Sequence, residues 1–134
     1  MRKGFVIGLL VALATGCSLR SHDAPTEDLD KAGAPFFQRL NAAEYGTIYK
    51  DTAKKFKENK TKETIIESLK ELTAKGRLVD FKRGRMTFEG EGKNQIASPV
   101  FYVIFEQTRG ELTLDFVDES GEWKLIGFAF KQHA

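Results

Sequence analysis

The sequence predicts an α+β domain in which about three N-terminal helices pack on a curved antiparallel sheet of about four strands. Three observations carry this expectation. Apolar residues recur at helical spacing from Phe36 to Leu72, the pattern turns to alternation from Leu78, and the last third reads as three consecutive strands joined by tight turns. No internal repeat and no second folding unit is visible, and residues 34–134 have the size of one domain with a real core.

Residues 1–16 stand apart from that fold. Arg2 and Lys3 form a positive start, Gly4 to Leu13 an apolar run, and Ala14-Thr15-Gly16 a run of small residues before Cys17, which together spell a cleaved export signal. The apolar run is shorter than the roughly 20 residues a helix needs to span a bilayer. Leu13-Ala14-Thr15-Gly16-Cys17 resembles the lipobox of bacterial lipoproteins, an aliphatic residue and two small ones before a cysteine that is modified. Ala14 stands where that family most often has leucine. The resemblance implies a diacylglyceryl group on the Cys17 thiol, cleavage before Cys17, and acylation of the new amino terminus by a fatty acid such as palmitate. Ser18 in place of an aspartate implies the outer membrane, facing the periplasm, in a double-membraned cell envelope. The alternative is an ordinary secretory signal followed by a chance cysteine. Cys17 is the only cysteine of the chain, and a free exposed thiol is an odd choice for an exported protein. Two or more acyl chains anchor stably, because each buried methylene contributes about 0.8 kcal/mol.

Residues 17–33 read as the lipidated tether, flexible and acidic, with almost no large apolar side chain to offset the entropy of ordering. Pro35 suits the first turn of a helix, and Phe36, Phe37, Leu40 and Ala43 line one face of it. Glu44-Tyr45-Gly46 breaks the pattern. A second helix is expected over Thr47–Asn59, with Ile48, Tyr49, Thr52, Ala53 and Phe56 inward and four lysines outward. Thr61 is a suitable N-cap for a third helix, whose buried stripe is Ile65, Ile66, Leu69 and Leu72 and whose end is marked by Gly76.

From Leu78 to Glu89 the alternation is weak, predicting an edge hairpin or bent strand with Gly84 at the bend. Gly90 to Ser98 reads as a polar loop. Val100 to Gln107 is nearly all apolar, as in a central strand covered on both faces. Leu112, Leu114 and Phe116 then alternate with Thr113, Asp115 and Val117. After the Asp118–Gly121 turn, Ile126, Phe128 and Phe130 are expected on one face of the last strand, with Trp123 and Leu125 on the other.

Removing Arg2 and Lys3 from the 21 basic residues leaves 19, against 19 acidic, so overall charge gives no case for nucleic acid. The two signs are unevenly placed: Lys31 to Arg85 has 14 basic against 7 acidic residues, Met86 to Ala134 has 4 against 8. A basic helical face can approach anionic headgroups in a salt-sensitive way, although solubilising lysines are the simpler reading.

The run FFQRLNAAEYGTIYKDTAKKFK and the closing GEWKLIGFAF resemble the nuclear-transport-factor-two-like (cystatin-like) superfamily, in particular its small exported bacterial members. The resemblance implies a cone-like fold with a cavity, and in a few branches an isomerase or cyclase chemistry that uses a tyrosine and a carboxylate in an apolar pocket. On that alternative the residues would be Tyr45, Tyr49 and Tyr102 with Asp80 or Asp115. The simpler reading makes the tyrosines core-edge residues with wet hydroxyls and the aspartates solvated. His22 and His133 lie near the chain ends, and no metal, phosphate-loop or nucleophile motif occurs. The expectation is therefore a module that is not an enzyme and holds no cofactor or metal. Its aromatics, with Tyr45, Tyr49, Tyr102 and Trp123 as pocket candidates, would serve a hydrophobic ligand, an envelope protein or a homodimer through the spare sheet face.

Overall fold

The computed structural model describes residues 29–91 and 95–133. The export signal, Cys17 and the tether up to residue 28 lie outside the described residues. Four helices precede four strands: α1 (residues 29–41), α2 (Tyr45–Lys50), α3 (Lys54–Asn59) and α4 (Lys62–Thr73), then β1 (Leu78–Glu89), β2 (Ile96–Phe105), β3 (Arg109–Glu119) and β4 (Glu122–Gln132). The strands form one antiparallel sheet in the order β1-β2-β3-β4, a meander with the helices on one face. This is the expected α+β architecture.

Alternation decides which side chains meet the helices. Ala97, Phe101, Val103 and Phe105 of β2 turn inward, and the β3 partners Phe116 and Leu112 share their face with Ala97 and Phe101. Leu112 and Leu114 are completely buried. Their β4 partners Phe130 and Phe128 close the same layer. From the helical side come Leu29, Phe36, Phe37 and Leu40 of α1 and Ile65, Leu69 and Leu72 of α4. Rings interlock across the layers: Phe37 stacks on Phe81 at 4.2 Å and meets Phe101 edge-on at 5.1 Å, while Phe36 faces Phe128 at 6.1 Å.

Polar links fix the ends of the helices. The Thr61 hydroxyl accepts from the Thr64 amide at 3.1 Å, the expected N-cap of α4. The Asn41 amide group grips Leu78 twice, donating to its carbonyl at 3.0 Å and accepting from its N–H at 2.8 Å, so α1 is tied to the start of β1.

Five expectations change. The first helix starts before Pro35, because Leu29, Ala32, Gly33, Phe36 and Leu40 continue one stripe; residues 29–33, assigned to the tether by composition, belong to the domain. The second helix divides at Asp51–Ala53. There the Ala53 N–H donates to the Leu125 carbonyl at 2.8 Å, a tertiary bond that docks this corner on β4 and ends the helical ladder. β2 begins at Ile96, inside the expected loop. β2 is covered on both faces only as far as Val100 and Phe101, both buried; past them the outer face is open, since Tyr102 and Ile104 are 43% and 46% exposed. Finally, a register shift between Asp115 and Phe116 opposite β4 adds one residue, so Leu125 pairs with Phe116 while Phe128 pairs with Leu114. Leu125 thus shares the helix-facing side with Phe128 and Phe130, and Trp123 packs against the same core. β1 is a single bent strand, with a shift between Arg83 and Met86 that spans Gly84, as its weak alternation suggested.

Candidate functional site

The break between α2 and α3 leaves a cleft between the helical layer and the far end of β3 and β4. Pro35 and Phe36 of α1, Ile48 of α2, Phe116 of β3 and Trp123 and Leu125 of β4 line a cavity of about 250 Å³. Its floor is apolar and well packed: Phe36, Ile48, Phe116 and Leu125 are all buried. Its rim is charged. Arg39 donates to the Asp51 carboxylate across the mouth, and Lys124 pairs with Glu122 at 3.1 Å beside it. The geometry suits a small, mostly apolar molecule, since the volume lies just under the roughly 300 Å³ at which drug-sized sites begin.

A larger depression, about 500 Å³, lies on the opposite sheet face over Tyr102 and Ile104, with Asp80, Lys82, Arg109 and His133 around it. This trough is lined by exposed side chains of the outer sheet face, whereas the cleft lies between helices and sheet with a floor of buried side chains. A lining of core side chains offers an apolar molecule more contact than the exposed Tyr102 and Ile104 do, which makes the cleft the better site despite its smaller volume. The Tyr102 ring at its edge packs against Gly84 of β1, where a Cβ would meet the ring atoms.

The four aromatic pocket candidates are therefore separated. Trp123 lines the cleft and Tyr102 lines the trough on the other side of the sheet. Tyr45 and Tyr49 line neither. The Tyr45 hydroxyl bonds the Thr73 hydroxyl at 2.7 Å and joins α2 to α4, while the Tyr49 ring sits beneath the Lys57 and Lys62 ammonium groups at 5.4 and 5.7 Å. Sequence reasoning missed Arg39 and Asp51 as rim residues, because a pair twelve positions apart across a helix break leaves no periodic trace.

The acid/base alternative fares similarly. Asp115 accepts from the Ser98 hydroxyl at 2.6 Å, away from every tyrosine of the set. Asp80 and Tyr102 do share the trough, yet both are exposed, where the chemistry implied by the resemblance needs an apolar enclosure. In the strand next to the trough, hydrogen bonding to His133 and the neighbouring Arg85 guanidinium hold the Glu111 carboxyl below its ordinary value. Among the described residues no group of three or more His, Cys, Asp or Glu side chains gathers as a metal site. No protein-family model matches the chain, and no curated protein matches it.

Trp123 is the only tryptophan of the sequence, so the cleft carries its own reporter. An apolar molecule that enters it is expected to quench or blue-shift the emission of Trp123 saturably, and Phe36→Ala is expected to weaken that response several-fold through lost contact area. A ligand found bound by native mass spectrometry that leaves the emission unchanged would place binding elsewhere.

Proposed function

We propose that the protein is a lipid-anchored bacterial envelope lipoprotein whose single domain is a non-catalytic binding module, with the cleft between helices and sheet as its ligand site. The observation that carries this reading is the segment Arg2 to Cys17, with its positive start, apolar run, small residues and sole cysteine in the required order. The cleft supports the second half: it offers an apolar floor and a charged rim, while the polar side chains singled out for acid/base work lie apart from it. Outer-membrane placement facing the periplasm follows from Ser18 by the lipoprotein resemblance. Envelope proteins and a second copy of the chain are the other partners that the open sheet face allows.

Cys17→Ser is expected to abolish incorporation of labelled palmitate in bacterial cells and to leave the chain uncut. Both effects come from one atom, since the thiol is the acceptor and its modified form is what the signal peptidase of this class reads. A Cys17→Ser chain that is still labelled and cut between residues 16 and 17 would contradict the proposal.

A further inference from the structure

We propose that the corner built by α3 and its flanks is a docking surface for the anionic face of the membrane, so that the domain lies on the bilayer instead of hanging free of it. This rests on the lipoprotein reading for the identity of the surface. Lys50 ends α2, Lys54, Lys55 and Lys57 lie on α3, Lys60 follows it, and Lys62 opens α4. Five of the six are exposed and Lys57 is half-buried. Among the described residues none of these ammonium groups forms an ion pair, whereas Arg39, Arg83, Arg85 and Lys124 each face a carboxylate.

The fold gathers this charge at one corner. Within residues 50–62 the acidic side chains are Asp51 and Glu58; Asp51 is turned to Arg39 of α1, and the fold brings in one further carboxylate, Glu119 of β3, which accepts from the Lys54 backbone N–H at 2.8 Å and leaves the six lysines in excess. Lys57 and Lys62, from different helices, converge on the single ring of Tyr49. The Lys57 ammonium also donates to the Lys50 carbonyl at 2.8 Å, which holds α2 and α3 together at the corner. Like charges gathered this way repel one another, and a negatively charged plane relieves that repulsion. Each lysine near an anionic leaflet adds attraction that salt screens within a Debye length.

The anchor gives the reach. Residues 18–28 between Cys17 and α1 span up to roughly 35 Å when extended at about 3.3 Å each. That segment carries Arg20 against Asp23, Glu27 and Asp28, so it does not compete for the same headgroups. Docking at this corner also brings the mouth of the cleft to the bilayer surface, because Asp51 at its rim follows Lys50 directly.

The test uses the full chain with Cys17→Ser, which cannot be acylated, co-sedimented with vesicles of phosphatidylcholine alone or with about 30% phosphatidylglycerol. Partitioning is expected to be at least about tenfold stronger on the anionic vesicles at about 50 mM salt and to lose that preference at about 500 mM. Adding Lys54→Glu, Lys55→Glu and Lys60→Glu is expected to lower the preference several-fold, and the corresponding arginine changes to keep it. The same number of reversals on the sheet face, at Lys82, Arg109 and Lys131, is expected to leave it in place. The signal segment, with Arg2 and Lys3, adds the same background in every variant, so the effect of the corner is read from the difference between variants. An unchanged preference in the α3 glutamate variant, an equal loss in the sheet-face variant, or no preference in the parent would each overturn the proposal. Because no acyl group is involved, these outcomes are independent of whether Cys17 is lipidated in cells.

Discussion

Phe101→Ala is expected to destabilise the domain by about 3–5 kcal/mol, the range for deleting a buried aromatic ring. Phe101 is 3% exposed and stands at the centre of the helix-facing side of β2. Its ring meets Phe37 at 5.1 Å and Phe81 at 6.1 Å, and its tip would lie 3.1 Å from a Cβ on Gly33. Alanine therefore empties the contact between α1 and the sheet, and Gly33 has no side chain with which to fill the gap. Domains of this size hold only about 5–15 kcal/mol in total, so the variant should sit close to its unfolding threshold. Chemical denaturation reads the loss directly. A double-mutant cycle with Phe37→Ala should show coupling of about 0.5–1.5 kcal/mol from the edge-on pair. A loss below about 1 kcal/mol would mean that α1 is not seated on β2 through this ring.

Gly110→Ala is expected to cost about 1–3 kcal/mol although it adds only a methyl group. A Cβ at Gly110 would stand 2.1 Å from the Lys131 carbonyl oxygen and 2.9 Å from the Gln132 Cα, both backbone atoms of the paired strand. No side chain can move aside, so the end of the β3–β4 ladder must open. The Arg109 carbonyl would then release the His133 amide, which it accepts at 3.0 Å, and Glu111 would lose its neighbour His133. A lowered denaturation midpoint with faster amide exchange at His133 is the expected result. Unchanged stability with protected exchange would show that the two strands are less closely joined there than their register implies.

The elements whose signals are local were legible in the sequence. The Thr61 cap, the stripe Ile65-Leu69-Leu72 and the strict alternation of Leu112, Leu114 and Phe116 each rest on neighbouring residues, and the fold class followed from them. What escaped depends on partners distant in sequence. The break at Asp51–Ala53 needs the Leu125 carbonyl, and the inward turn of Leu125 needs one extra residue in β4, which reverses side-chain parity past that point. The start of α1 was hidden by a polar stretch in which Leu29 alone shows an apolar side chain large enough to reach the core.

The site was legible only in part for the same reason. Trp123 stood out as a pocket candidate by its type, and of the four it is the one that lines the cleft. The tyrosines were conspicuous by type, and the fold uses Tyr45 and Tyr49 to join helices. Arg39, Asp51 and the cleft itself arise where α1, the α2–α3 break and β4 come together, a juxtaposition that composition and periodicity do not encode.

The intact mass of the wild-type chain recovered from bacterial membranes tests the central claim most directly. The account predicts a polypeptide that begins at Cys17 and carries the added mass of a diacylglyceryl group and an amide-linked fatty acid. A chain that still begins at Met1, or one cut elsewhere with an unmodified Cys17 thiol, would contradict it.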